Sequence, residues 1–159
     1  MITRRTFLGL TLATGAILIA GRQFVLASNP AIRVTRDPNC GCCTAWADHL
    51  RKDGFTVTVV DDPAINRYKA RLGVPGELAS CHTAEVEGFV IEGHVPAGAI
   101  RKLLERRPAL RGLAVPGMPI GSPGMEVEGQ APDIYDVVGF SPNGRSVFAR
   151  YEGEKELPL

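Results

Sequence analysis

Strand-like and helix-like segments alternate from residue 32 onward, and this order limits the possible fold more than any other feature. Residues 32–35 and 55–60 have the composition of strands. Between them, apolar side chains recur at the spacing of one helical face, and Gly54 is typical of a residue that ends a helix. The side chains on that face are Cys43, Trp46, Ala47 and Leu50. A strand, a helix and a second strand are therefore expected first.

The same reading continues to the end of the chain. Asp62 and Pro63 predict the start of a second helix, which Gly73 ends; its buried face would carry Ile65, Tyr68 and Leu72. Two β-type runs in residues 84–95 predict a strand pair, and Pro96 begins a third helix that Pro108 ends. Its apolar face would carry Ala97, Ile100, Leu103 and Leu104.

A Gly/Pro-rich segment, residues 112–129, is read as a loop. Residues 134–140 and 146–151 then flank Ser141-Pro142-Asn143-Gly144, a strong hairpin signal. The predicted class is α/β, with the thioredoxin-like order β-α-β-α-β-β-α and an added C-terminal β-hairpin.

Residues 1–27 have the pattern of a secretory signal rather than of a folded segment. Arg4 and Arg5 form a twin-arginine pattern, an apolar run follows over residues 7–20, and Ala27 closes a small-residue cleavage signal. The alternative is an uncleaved anchor, but polar and glycine residues interrupt the run, which is shorter than the ~20 apolar residues of a span. We expect a twin-arginine-type signal peptide at residues 1–27 and one domain at residues 28–159.

Export has consequences for charge and for redox environment. Removing the three arginines of residues 1–27 changes the formal net charge from +1 to −2, which gives no basic surface for nucleic acid or anionic lipid. We therefore expect neither nucleic acid nor membrane as a partner of the mature protein. The twin-arginine route is associated with folded, often cofactor-loaded proteins, so a periplasmic location and an oxidising environment are expected.

The four cysteines occupy two places: a triplet at the predicted start of the first helix, and one residue in the loop before the strand pair. They are Cys40, Cys42, Cys43 and Cys81. A helix N-terminus favours the thiolate form of cysteine. Thiolates crowded within about one helical turn repel one another unless a cation neutralises them. This crowding favours a metal site.

Two other interpretations stay open. The even count and the oxidising compartment allow two structural disulfides, although only a Cys40–Cys43 bond has comfortable geometry within the triplet. Alternatively, Cys40 and Cys43 form the Cys-x-x-Cys pair of a thiol–disulfide oxidoreductase.

Among metals that bind thiolates, copper(I) fits the spacing best. Structural zinc prefers two separated Cys-x-x-Cys knuckles, and iron–sulfur spacings are not matched. Adjacent thiolates can bridge ions, so the spacing also fits a cluster of several copper(I) ions.

Other soft or borderline ligands lie near the cysteines in sequence. His82 follows Cys81 directly and is either a ligand or a surface residue, whereas His94 is expected to be structural or to support a ligand. Met118 and Met125 stand in the Gly/Pro-rich segment, where a thioether could reach copper(I) or fill a packing gap.

Several motifs together resemble the CopG-type family of exported proteins of bacterial copper resistance, formerly a family of unknown function. They are Cys40-Gly41-Cys42-Cys43, Ser80-Cys81-His82-Thr83-Ala84, residues 90–96, residues 112–119 and residues 121–126. The resemblance covers nearly the whole mature chain, and it implies a thioredoxin-like fold, copper binding through the cysteines and a role in copper tolerance.

The functional hypothesis is a periplasmic copper(I)-binding protein of copper homeostasis or resistance. Cys40, Cys42, Cys43 and Cys81 would bind the metal, with Met118, Met125 and His82 completing or shielding the site. The protein would sequester copper(I), pass it to a copper chaperone or efflux system, or cycle its oxidation state; only the last is enzymatic. The alternative is the oxidoreductase that uses Cys40 and Cys43.

Overall fold

A computed structural model describes residues 29–159, so the predicted signal peptide at residues 1–27 lies outside the described residues. Within residues 29–159, three α-helices and eight strands follow one another. In order they are β1 (Ala31–Arg36), α1 (Cys42–Lys52), β2 (Thr56–Asp61), α2 (Ile65–Leu72), β3 (His82–Val86), β4 (Phe89–Glu92), α3 (Ala97–Arg106), β5 (Gly112–Ala114), β6 (Ile134–Ser141), β7 (Gly144–Glu152) and β8 (Lys155–Leu157).

All eight strands form one sheet in the order β2-β1-β3-β4-β5-β6-β7-β8. β1 and β2 are parallel, as are β4 and β5, and the remaining neighbours are antiparallel. Each parallel pair is joined by a crossover, which α1 supplies for the first pair and α3 for the second, because parallel neighbours cannot be joined by a tight hairpin. The start of β3 therefore lies beside the end of β1, where α1 begins.

The predicted α/β class, the order of the first seven elements and the C-terminal hairpin are confirmed. The thioredoxin-like comparison stays a prediction, although the element order from which it was drawn is the observed one. The first and third helices bury the apolar faces that their spacing predicts, against strands of one continuous core.

The interpretation of residues 112–129 as a loop was wrong at its first residues, which form β5. A Cβ on Gly112 would stand 1.8 Å from the carbonyl oxygen of Val90 on β4, so only glycine allows the two strands to approach this closely. The glycine that suggested a loop is thus the residue that permits the strand. The short C-terminal strand β8 was not predicted either.

The second helix buries a charge that its apolar spacing did not reveal. Ile65 is buried as expected, but Tyr68 and Leu72 are half-buried, and Lys69 is 4% exposed.

Within residues 29–159, no helix has both the length and the apolar character that crossing a bilayer requires.

Candidate metal centre

The triplet of cysteines forms the turn that leads into α1. Gly41 precedes the first helical residue, Cys42, and Cys43 is fully buried on the core face with Trp46. Cys40 and Cys42 are half-buried. Because α1 has 11 residues, the positive end of its dipole and its unpaired N–H groups face this turn. We call the three sulfurs of this turn the sulfur side of the centre.

Cys40 and Cys43 are joined by a disulfide, whereas Cys42 and Cys81 are free thiols. The Sγ atom of Cys42 lies 3.4 Å from that of Cys40 and 3.9 Å from that of Cys81. All four Sγ atoms lie within 4.8 Å of one another. The fold thus brings Cys81 back onto the triplet from 39 residues away.

Arg36, the last residue of β1, ties the cysteine turn to the sheet. Its guanidinium donates to the carbonyl oxygen of Cys40 at 3.0 Å and to the Thr44 hydroxyl at 2.7 Å. The same group pairs with Asp61 at the end of β2. The turn is therefore held by an anchor that does not use the sulfurs.

Two imidazoles approach Cys81 from the strand side, and we call Cys81, His82 and His94 the imidazole side. Nδ1 of His82 lies 3.2 Å and Nε2 of His94 lies 3.1 Å from the Cys81 sulfur. Both histidines are fully buried, and the His82 ring packs 4.2 Å from the ring of Trp46 on α1. These three donor atoms also lie within 4.8 Å of one another.

The two histidines differ in their second ring nitrogen. Nδ1 of His94 lies 2.8 Å from the carbonyl oxygen of Pro123, an acceptor only, so Nδ1 carries the proton and Nε2 presents a lone pair to Cys81. Nε2 of His82 is buried without a hydrogen-bond partner. A buried nitrogen that lacks a hydrogen-bond partner costs about 1–3 kcal/mol.

Burial sets the protonation state of the imidazole side. Desolvation, reinforced by the neighbouring Cys42, raises the pKa of Cys81 to about 12. Desolvation also lowers the pKa of His82 well below its ordinary value and lowers that of His94. At neutral pH the metal-free centre thus holds a protonated Cys81 thiol and two neutral imidazoles. A metal ion that binds Cys81 must displace its proton.

A buried ion pair fixes the segment that carries Cys81. Lys69 and Glu92 meet at 2.6 Å, and the same Glu92 oxygen accepts the backbone N–H of Ser80 at 2.6 Å. The other Glu92 oxygen accepts from the Thr83 hydroxyl at 2.6 Å, and that hydroxyl accepts from Lys69 at 2.9 Å. Both residues that flank Cys81–His82 are therefore held by one carboxylate.

The segment with the two methionines docks against both cysteine-bearing regions. The Ser80 hydroxyl donates to the carbonyl oxygen of Gly117, next to Met118. A Cβ on Gly124, next to Met125, would stand 2.7 Å from the backbone nitrogen of Trp46 and 3.1 Å from the carbonyl oxygen of Cys42. Met118 is 53% exposed and Met125 is half-buried. Their assignment as ligands, like that of the cysteines and His82, stays a prediction.

His94 was expected to be structural or to support a ligand, and that expectation stays a prediction; its Nε2 lies 3.1 Å from the Cys81 sulfur. Sequence reasoning missed two residues of this arrangement. Glu92 and Lys69 were not singled out, although a carboxylate within the apolar strand β4 and a lysine four residues after Ile65 on α2 were visible signals. A buried charge requires a partner, but the sequence does not say which one.

The chain is similar to one protein family and to solved structures. Residues 78–125, which contain Cys81, His94 and both loop methionines, match the family described as "Protein of unknown function, DUF411". A solved structure titled "Copper resistance protein copG- Form 2" is 51% identical, with a TM-score of 0.73, over 77% of this chain and 98% of that chain. The chain belongs to the CopG-type family of copper resistance proteins.

A second structure, titled "Copper resistance protein copG- Form 1", is 52% identical, with a TM-score of 0.72 and the same coverage of both chains. No curated protein matches the chain. The predicted family is thus confirmed, and the CopG-type relatives match over nearly their whole length. A cysteine cluster able to hold a metal ion and membership of a copper resistance family are therefore established for this chain.

Proposed function

We propose that this chain is a periplasmic copper(I)-binding protein of copper homeostasis and resistance. It sequesters copper(I), transfers it, or changes its oxidation state at Cys40, Cys42, Cys43 and Cys81. The observation that carries the proposal is the convergence of four Sγ atoms within 4.8 Å, from two regions of the chain, in a CopG-type protein. The periplasmic location is inferred from the twin-arginine pattern of residues 1–27.

The donor set fits copper(I) as cargo. Thiolates are soft ligands that favour copper(I), and the ion neutralises charges that would otherwise repel one another at these separations. Four thiolates are available only after the Cys40–Cys43 disulfide has been reduced. Because Cys40, Cys42 and Cys43 are adjacent, one thiolate can bridge two ions, so we propose a cluster of several copper ions.

Residues around the four cysteines either hold the cysteine-bearing segments in place or would add further ligands. Glu92 holds the Cys81 segment, and Arg36 holds the Cys40 turn. Met118 and Met125 would add thioether sulfur at the rim, and the exposed position of Met118 suits exchange of copper with a chaperone or an efflux-system partner. His82 would supply a nitrogen ligand beside Cys81.

The test is an anaerobic copper(I) titration of reduced residues 28–159 against a competing chelator. Replacing each cysteine in turn by serine should lower the copper stoichiometry or weaken binding by at least about tenfold, since each removes one ligand. Ser122→Ala, which changes a buried hydroxyl outside the cluster, is the control. Unchanged stoichiometry and affinity after Cys81→Ser would contradict the four-cysteine site.

A second function is favoured by one specific observation, the disulfide between Cys40 and Cys43 at the start of α1. Such a pair could exchange with a substrate disulfide, which would make the protein a thiol–disulfide oxidoreductase. That function predicts disulfide reductase activity that survives both Cys42→Ser and Cys81→Ser. Loss of copper binding in the same variants, without any reductase activity in the parent protein, would favour the copper function. Catalytic turnover of copper between oxidation states by the loaded protein would make it an enzyme.

A further inference from the structure

The two edge strands of the sheet differ in their protection against pairing with another chain. β8 has three residues and carries Lys155 and Glu156, of which Glu156 pairs with Lys102 on α3. Short, charged edge strands resist the addition of a further strand. β2 has six residues without proline, and its one charged residue, Asp61, is the last. Within residues 29–159 no strand lies beyond β2, so this long edge is open.

We infer that the β2 edge pairs with the β2 edge of a second copy of this chain, antiparallel about a two-fold axis at Val59. The two sheets then form one continuous sheet. Each copy has a single β2 and its other edge is charged, so this assembly closes at a dimer. None of the cysteine or histidine side chains of the metal centre takes part.

Alternate residues of β2 point their backbone groups away from β1. The N–H of Thr56 donates to the carbonyl oxygen of Pro30 at 3.0 Å, and the N–H of Asp62 donates to that of Arg36 at 2.8 Å. Peptide groups alternate in direction along a strand, so the even-numbered residues 56–62 bond to β1. The odd-numbered residues 57, 59 and 61 therefore present their N–H and C=O groups to a further strand.

An axis at Val59 is the register that uses all of these groups. It places Val59 opposite the partner's Val59 and Val57 opposite the partner's Asp61, and residues opposite each other in this way exchange both hydrogen bonds. An axis one residue earlier would pair Asp61 with Phe55, whose N–H already donates within its own copy at 3.0 Å. An axis one residue later would pair Val57 with Pro63, which has no N–H.

Charges beside the strand match the same register. Arg51, in the last turn of α1, lies beside Val57, because its guanidinium donates to the Val57 carbonyl oxygen at 3.4 Å. The partner's Asp61 would lie opposite Val57 on the same face of the sheet. The side chains of Arg51 and Asp61 are 44% and 53% exposed, so both are free to extend across the junction. The two-fold axis repeats this contact, which gives two ion pairs of opposite charge.

The dimer should be weak, because its interface is small. One strand pair with two ion pairs buries less than the ~1,200 Å² of a standard interface, so we expect a Kd of about 10 µM to 1 mM. Arg36 ties the Cys40 turn to the end of β1, beside Asp61. Antiparallel pairing therefore places the two cysteine turns at opposite ends of the strand pair, and the dimer needs no metal.

Sedimentation velocity of residues 28–159, at about 10 µM to 1 mM, tests the pairing. A thiol reductant and a chelator exclude intermolecular disulfides and metal bridges. We expect a monomer–dimer equilibrium in which the N–H groups of residues 57, 59 and 61 gain protection from hydrogen exchange as concentration rises. Those of residues 58 and 60 should be protected already in the monomer. A protein that stays monomeric overturns the inference, as does a dimer without this added protection.

Variants of the edge test the register. Val59→Pro removes an outward N–H and leaves the bonds to β1, and it should weaken the dimer by at least about tenfold. Arg51→Glu and Asp61→Arg should each weaken it by at least about fivefold, and the double variant Arg51→Glu/Asp61→Arg should return to within about twofold of the parent. Lys155→Glu is the matched control, because it makes the same change of net charge at the opposite edge.

Two readouts separate the possible outcomes. Far-UV circular dichroism shows whether each variant is folded, and the charge variants keep the test valid if Val59→Pro is not, since both charged side chains are exposed. A dimer that is unaffected by the single charge reversals, or one that the double variant does not restore, overturns the inference. Copper(I) binding is scored separately: normal binding by a strictly monomeric protein rejects the pairing alone, whereas a dimer without copper(I) binding rejects the proposed function alone.

Discussion

The sulfur side and the imidazole side of the centre are built from different parts of the fold and are held by different forces. The sulfur side is a turn at a helix start, where the disulfide and Arg36 are the main restraints. The imidazole side lies at the start of β3 and just after the end of β4, with both histidines fully buried and a buried ion pair behind them. One side can change its covalent state, while the other keeps a fixed geometry. The buried residues can therefore keep their positions while the bond between Cys40 and Cys43 forms or breaks.

The largest effect is expected when Lys69, the cation of the buried ion pair behind the imidazole side, is removed. Lys69→Met leaves Glu92 buried and uncompensated, so the free energy of unfolding should fall by about 3–5 kcal/mol in urea titrations at constant m-value. Arg145→Met, which breaks an exposed pair with Glu77, should change it by about 0–1 kcal/mol. Equal losses in the two variants would show that the buried pair does not support this side.

The double variant Lys69→Met/Glu92→Leu sharpens the same point. Replacing both charges should recover much of the stability, because a buried ion pair is often no better than apolar packing. It also removes the acceptor of the Ser80 N–H, so copper(I) affinity should stay reduced although the fold is restored. Full recovery of copper affinity would mean that Glu92 does not position Cys81.

The next effect concerns the loop that joins the two sides. Gly124→Ala combines a positive φ of 83° with a Cβ that would stand 2.7 Å from the backbone nitrogen of Trp46. Gly129→Ala has a similar φ of 77°, but no atom lies within 4 Å of its Cβ position. Gly129→Ala should therefore cost about 1–2 kcal/mol in thermal or urea unfolding. Gly124→Ala should cost about 1–3 kcal/mol more, because the loop must move away from α1. Equal costs would mean that the close approach is easily relieved.

A smaller effect should appear on mild acidification of the metal-free protein. The folded-state pKa values of His82 and His94 lie below the ordinary value of 6.5, so the unfolded chain binds more protons below that pH. Above about pH 6.5 the two histidines do not lower the free energy of unfolding. Below that pH the free energy should fall by up to about 1.4 kcal/mol per pH unit for each histidine. Urea unfolding between pH 7 and pH 5 measures this slope, and His82→Phe should reduce it. A flat profile would be inconsistent with buried neutral imidazoles.

The smallest effect is expected from the methionines. Met125 is half-buried and follows Gly124, which packs closely on α1, whereas Met118 is 53% exposed. Met125→Leu should therefore weaken copper(I) binding more than Met118→Leu, in competition titrations with the same chelator, because a less exposed thioether stays near the sulfurs. Leucine keeps the volume and removes only the soft ligand. The reverse order would place Met118 at the metal and Met125 in packing.

The sequence by itself determined the order of the elements and the identity of most candidate ligands. Helical spacing located α1 and α3, turn residues located the hairpin, and the cysteine triplet indicated a soft-metal site, because these signals are local and depend on chemical type. β5 was not predicted, because a three-residue strand that contains glycine has no local sequence signal. This strand forms because β4 lies close enough to pair with it.

Only the tertiary structure decided which distant atoms meet. Cys81 reaches the triplet because β3 pairs with β1 beside the start of α1, and His94 reaches Cys81 because the Pro123 carbonyl orients its ring. Lys69 was recognisable as a lysine but not as the partner of Glu92, since pairing depends on how α2 packs on β3 and β4. Spacing along a chain fixes which face a residue occupies, whereas contacts between elements depend on the packing of the whole sheet.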